Sequence, residues 1–255
     1  MASETYNETG IVLRKTPLGE TDLIVSLLTE NGSQLRAVAK GARKPSSALS
    51  SRLELYSVAQ LHCARGKSLD IVKEARLVDS NAKVRADLEH SAAAAPLAEL
   101  LAFVSDDGLA DARLFVMTSA AFKKMGEAKA SDALALCAAH LLKILSVIGF
   151  RPSLDTCIRC GTHVSLGGRD TVAVSDIDGG VLCDKCSSFS ETRLTQANTL
   201  SWCNAFINST FDGIIAMGVS PNTSFSVLEF AHQWIRVHVG KSLKSMNFLF
   251  TCGLF

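Results

Sequence analysis

Along the first 80 residues apolar and polar positions alternate with a period of two. Leu23, Val25 and Leu27 mark one apolar face, and Leu35, Ala37 and Ala39 another. The alternation predicts strands over 8–15, 22–29, 33–41, 53–64 and 68–78. Glu30-Asn31-Gly32 joins the second to the third, and Asn-Gly is a strong hairpin signal. Arg65-Gly66-Lys67 supplies a second tight connection. Five short strands with no helix long enough for a βαβ unit predict a small antiparallel barrel of the OB type, with a sandwich or an SH3-like barrel as alternatives.

From about Asn81 the period lengthens to 3.6. Helices are expected over 83–104, with Pro96 restarting or kinking the run, and over 110–125 and 131–148. Asp106-Asp107 is expected to end the first of these and begin the second. The third run carries Leu134, Cys137, Leu141, Ile144, Leu145 and Ile148 along one stripe, with Gly149 as its C-terminal cap and Arg151-Pro152 as its stop. Its apolar stretch contains His140 and Lys143 and reads as an amphipathic helix, not a membrane span. Two more helical runs follow, 199–211 and 225–243. The expected organisation is α+β: a barrel at 1–80, a helical domain in two parts at 81–150 and 191–255, and an insert at 151–190.

The insert holds the clearest chemistry. Cys157-x-x-Cys160 and Cys183-x-x-Cys186 stand 22 residues apart, the spacing of a four-thiolate zinc ribbon. Asp178-Gly179-Gly180 makes a turn between them, and 171–175 begins a hairpin. Four thiolates close the coordination shell and leave no position for an activated water, so the zinc is read as structural and not catalytic. His163 is the one residue that would replace a cysteine. The other four cysteines, Cys63, Cys137, Cys203 and Cys252, lie singly in apolar surroundings and read as buried free thiols.

Charge changes the picture only locally. The 255 residues carry a formal net charge of +1, so no global field draws in nucleic acid. Yet 31–53, NGSQLRAVAKGARKPSSALSSRL, contains Arg36, Lys40, Arg43, Lys44 and Arg52 and no acid. Such a stripe fits backbone phosphate, with the nearby serines adding hydroxyls; a solvated loop is the plain alternative. The Pro45-Ser46-Ser47 segment favours a mobile arm. The first 80 residues hold only two aromatics, Tyr6 and Tyr56, so base stacking has almost no platform there.

Several motifs fail. Gly66-Lys67-Ser68 and Gly240-Lys241-Ser242 lack the earlier glycine of a P-loop, Leu61 and Ile235 standing in its place. No catalytic constellation is present, and no enzyme activity is expected. The opening MASETYNETG has no apolar core, so no secretory signal or transit peptide is expected and the location reads as cytoplasmic.

The order of parts, barrel, helical bundle and inserted four-cysteine ribbon, resembles the bacterial RecO recombination mediator family. TGIVLRKTPLGETDLIVSLLTENGSQLRAVAKGARKPSS is similar to its opening strands and basic loop. KILSVIGFRPSLDTCIRCG and GGVLCDKC resemble its two knuckles, and HVGKSLKSMNFL its closing segment. The resemblance implies an OB-fold that binds single- and double-stranded DNA and anneals complementary strands. It also implies partnership with RecR and with the acidic, hydrophobic tail of the single-stranded-DNA-binding protein (SSB), and so, with RecF, loading of RecA. By position it makes Arg14, Arg36, Lys40, Arg43, Lys44 and Arg52 DNA contacts and Cys157, Cys160, Cys183 and Cys186 ligands of one zinc ion. His140 and Lys143 become candidates for the tail site. A protein-interaction adaptor whose barrel binds nothing, and a zinc enzyme acting on nucleic acid, are the competing readings.

Overall fold

The computed structural model describes residues 4–105 and 110–255. Asp106-Asp107 lies outside them. The chain forms two compact units, Met1–Glu127 and Ala128–Phe255.

In the first unit five strands, β1 (Thr5–Leu18), β2 (Asp22–Thr29), β3 (Gln34–Ala39), β4 (Val58–Ala64) and β5 (Asp70–Asp79), close into a barrel of order β1-β2-β3-β5-β4. The β3–β5 pair is parallel and the other pairings are antiparallel. Closure leaves no free edge, which is the OB solution to the edge problem. The period-two residues fill the interior: Val12, Leu23, Val25, Leu27, Ala37, Ala39, Leu61 and Cys63 are buried together. Burial pushes the Cys63 thiol up to about 11.

The expected strand at 53–64 is half right. Only Val58–Ala64 pairs; Leu53–Ser57 turns instead, with Tyr56 at φ +66° and the Ser57 amide donating to Glu54 O. A short helix, α1 (Ala48–Arg52), precedes it where a loop was expected.

A 3-10 turn at Ala82–Arg85 leads into α2 (Leu88–Val104), which Asp87 caps by accepting from the His90 amide. Pro96 sits inside α2 without ending it. α3 (Ala112–Glu127) follows, and both helices pack on β1 and β2. Gln34 Nε2 donates to Ala102 O at 2.8 Å, and the Phe122 ring meets Tyr56 at 5.0 Å. The strand-to-helix change near residue 81 is therefore a change of local structure inside one packed unit.

The second unit is built around α4 (Ala130–Val147). The sequence suggests a stripe, but α4 is buried all round: Ala133, Ala135, Ala138 and Ala139 are covered as fully as Leu134 and Leu141. By length and composition this helix could cross a membrane, yet 67% of it is buried within the protein. α5 (Ala197–Asn208), α6 (Phe211–Ala216) and α7 (Pro221–His238) surround it, and α8 (Lys244–Thr251) ends the chain. The expected 199–211 helix breaks at Ser209 because Thr210 accepts from the Gly213 amide and starts a new one. In the same way Ser220 caps α7, four residues earlier than expected.

Between α4 and α5 lies the ribbon: β6 (Thr171–Ser175), β7 (Gly180–Leu182) and β8 (Arg193–Gln196) form a sheet of order β7-β6-β8. β8 adds a third strand to the expected hairpin. Arg193 anchors it, holding Asp176 through two bonds of 2.7 and 3.0 Å and lying 5.3 Å over the Phe230 ring of α7.

Candidate nucleic-acid interface and metal centre

The basic stretch wraps one side of the barrel. Arg14 of β1 pairs in register with Ser26 of β2, and Ser26 with Arg36 of β3. Paired residues share a face, so two exposed arginines flank a small, buried serine on the outward side of the strands, about 10 Å apart across two strand spacings. Lys40 is the first residue after β3, exposed in the turn that opens the loop. The side chains of Arg14, Arg36, Lys40 and Lys44 are exposed and make no ion pair or hydrogen bond with the described residues. Lys15, by contrast, is paired with Glu54 at 3.0 Å.

The loop after β3 is folded as successive turns, not held as a loose arm. Ala42 is fully buried, the Gly41 amide donates to Asp22 Oδ1 at 2.7 Å, and the Arg43 amide donates to Thr21 O at 2.8 Å. The Gly41 bond, then that from Thr21, holds the Asp22 carboxyl below the usual range. Arg43 Nη1 also donates to Gly19 O at 2.9 Å, which fixes the guanidinium and leaves further N–H groups outward. Arg52, at the end of α1, donates from Nη1 to Ala75 O at 3.0 Å and so lies over β5. Five of the six expected contacts therefore gather near β1, β2, β3 and the following loop, while Arg52 stands apart.

Neither tyrosine is open to a base. Tyr6 donates its hydroxyl to Asp70, and the Arg65 guanidinium covers its ring at 4.3 Å. Burial and then that bond raise the phenol further. Tyr56 is only 5% exposed.

In the second unit the four thiols of Cys157, Cys160, Cys183 and Cys186 lie within 4.8 Å of one another. Tetrahedral zinc with bonds of about 2.3 Å places sulfurs about 3.8 Å apart, and Cys160 Sγ stands 3.7 Å from Cys183 Sγ. The knuckles explain the placement. The Gly161 amide reaches back to Cys157 O with φ +73°, and the Cys186 and Ser187 amides both reach Cys183 O. Burial opposes ionisation of Cys157, but amide bonds from Cys183, Cys160 and Arg159 outweigh it and bring the thiol down to about 6. Cys186, bonded to Cys183, is pushed up to about 12. Hydrogen bonds ease Cys157 and Cys160 toward thiolate while Cys186 resists it, a conflict that a divalent cation relieves. The residues fit a metal.

His163 is exposed and outside this cluster; its backbone bridges Thr156. Arg159 ties the first knuckle to the turn after the second, donating to Phe189 O at 3.1 Å and lying 4.8 Å over its ring.

The structure places His140 and Lys143 against later segments of the same unit. His140 is fully buried in α4, its ring edge-on to Phe211 at 5.6 Å. Lys143 donates to Ile207 O at 2.8 Å and Ser209 O at 2.7 Å, closing the C-terminus of α5. The family resemblance pointed to these two residues; packing around α4 buries His140, and the half-buried Lys143 is engaged by the end of α5.

Burial, then Lys143, lowers the His140 imidazole to about 3, so the folded protein keeps it neutral. Below pH 6.5 the unfolded chain takes up a proton that the folded chain refuses, and stability falls as pH falls. The expected loss is about 1.4 kcal/mol per pH unit between about pH 6.5 and 4.5, before carboxylates contribute. Urea midpoints at pH 7 and 5.5 measure it, and His140→Leu should flatten that slope. An unchanged slope in the variant would assign the effect elsewhere.

Comparison with known proteins places this architecture. Residues 1–81 match the family model described as Recombination protein O N terminal, and residues 85–247 match Recombination protein O C terminal. The chain belongs to the RecO family. A "DNA repair protein RecO" of Frankia casuarinae is 30% identical over 96% of this chain and 98% of its own. Those of Symbiobacterium thermophilum, 32% identical over 74% of each chain, and Desulfitobacterium hafniense, 27% identical over 95% of this chain and 88% of the relative, carry the same description. The closed barrel, the helices and the cysteine cluster are thus those of a RecO-family DNA repair protein.

Proposed function

We propose that this protein binds single- and double-stranded DNA through the barrel and anneals complementary strands. With RecR, and with RecF, it would help RecA load on DNA coated by SSB, whose C-terminal tail it would engage. It would act in the cytoplasm, as a binding protein and not an enzyme, with one structural zinc ion on Cys157, Cys160, Cys183 and Cys186. The observation that carries the reading is the cationic face of Arg14, Arg36, Lys40, Arg43 and Lys44 on a barrel whose two tyrosines are covered.

Annealing needs two polyanions brought together while their base edges stay free. Guanidinium and ammonium groups offset phosphate repulsion, whereas aromatic platforms would hold the base faces that must pair. Arg43 supports this role because its backbone and one nitrogen are already fixed, so less side-chain freedom is lost on binding.

The test is annealing of labelled complementary strands, bare and coated with SSB. For five contacts the single-strand affinity should fall with salt at a log–log slope of about −3.5, from about −0.7 per contact. Arg43→Ala/Lys44→Ala should bring that slope to about −2.1 and slow annealing about tenfold. A salt-independent affinity, or an annealing rate equal to the spontaneous one, would leave the adaptor reading in its place.

A further inference from the structure

The barrel carries a second polar surface that the basic loop does not occupy. On the outside of β1, β4 and β5 the registers align Asn7 with His62 and Glu74, and Thr9 with Gln60 and Arg76. Their neighbours Leu61, Cys63 and Ala75 point inward and are buried, so these two rows face outward. Asn7, Gln60, His62, Glu74 and Arg76 line a recess of about 390 Å³, walled on one side by Arg52.

Arg52 links this recess to the cationic face. The acid-free stretch begins on β3, crosses the loop, and ends with a guanidinium held against Ala75 O on β5. One uninterrupted segment of chain thus delivers positive charge to two different faces of one barrel.

The chemistry within the recess is uneven. Arg52, Gln60 and Arg76 offer N–H donors, the kind of group that contacts phosphate and sugar. His62 Nδ1 lies 2.9 Å from Asn7 Oδ1, and Glu74 beside it is exposed, so that row repels phosphate. A polyanion is therefore guided along Gln60, Arg76 and Arg52. No aromatic residue lines the recess, so a strand lying there keeps its base faces exposed.

The geometry points to this recess as the seat of a second nucleic-acid strand, held by its backbone while the first occupies the Arg14–Arg36 face. The inference rests on the annealing function proposed above and adds to it where the complementary strand waits. It also assigns roles to Gln60, Glu74 and Arg76, which lie outside the basic stretch. Glu74 narrows the track by excluding phosphate from one row.

The experiment titrates the whole chain with a non-complementary oligonucleotide of about 8 nucleotides, within the footprint of one OB fold. Two strands should bind per chain in the unaltered protein and one in Arg76→Glu, with affinity at the tighter site changed less than about twofold. Glu74→Gln, which removes a repulsion without touching the fold, should tighten the weaker site about threefold or more. Annealing of complementary strands should fall about tenfold in Arg76→Glu. A single strand per chain in the unaltered protein, two retained in Arg76→Glu, or a weaker site indifferent to Glu74→Gln overturns the inference. Failure of the unaltered protein to anneal while two strands still bind would instead overturn the proposed function and leave the second site standing.

Discussion

Chelating the metal at Cys157, Cys160, Cys183 and Cys186 is expected to unfold residues 151–190. The insert's apolar interior consists of little more than Leu154, Val164, Val172, Val174, Val181 and Leu182. A module of this size buries too little to fold alone, and in small sites of this kind metal binding is folding free energy, about 10–16 kcal/mol. Without the cation, nothing offsets the crowding of four sulfurs within 4.8 Å of one another. The helices around α4 should survive, because α4, α5 and α7 pack on one another, with Leu141, Phe206 and Trp234 buried among them. Amide exchange after chelation should therefore show protection lost across the ribbon and kept in α4 and α7, with four thiols newly reactive. A ribbon that stays protected once the metal has been removed would refute this account. A folded, metal-free protein that had lost a nucleic-acid-processing activity would favour the zinc-enzyme reading. Cys157→Ser should reproduce the chelated state at any metal concentration, since three thiolates no longer close the shell.

Gly32→Ala should be nearly as damaging to the first unit. Gly32 lies at the tip of the β2–β3 hairpin with φ +86°, where only glycine is at ease. A Cβ built there would stand 2.1 Å from Asp111 O and 2.4 Å from Asp111 N, backbone atoms just before α3 that cannot rotate away. The hairpin tip or α3 must move, and moving either opens the packing of Leu28 and Phe122, both fully buried. The expected loss exceeds about 4 kcal/mol, a size reserved for changes that break packing outright. Gly19→Ala is the matched control. Gly19 also has positive φ, +58°, but nothing lies within 4 Å of its added Cβ, so only backbone strain of about 1 kcal/mol remains. Urea unfolding of the two variants separates the contributions. Equal losses would mean that the close approach to Asp111 contributes nothing beyond the positive φ.

Much of this architecture was legible along the chain. Alternation at Leu23, Val25 and Leu27 located β2 to the residue, because those side chains fill the barrel interior, although α2 and α3 cover its other face from Ser26 onward. Asn31-Gly32 marked its hairpin for a local reason, since a turn with positive φ requires such residues wherever it occurs. The cysteine pairs announced their cluster because ligand spacing is local too. By contrast α1 escaped notice, as five residues give no helical period to read. Gln60 and His62 alternate with buried Leu61 and Cys63, a signal present in the sequence whose meaning depended on what lay beside it.

By itself, then, the sequence determined most of the strands and helices and both knuckles, and that positive charge would concentrate in one acid-free stretch. Those properties depend on residues a few positions apart. Only the tertiary structure decided where that charge faces. Register placed Ser26 between Arg14 and Arg36, and α1 carried Arg52 to the opposite strands. It also decided that His140 is buried and Lys143 engaged by backbone carbonyls, because helices contributed from later in the chain pack against α4. Such outcomes depend on which distant segments pack together, and no local pattern encodes that.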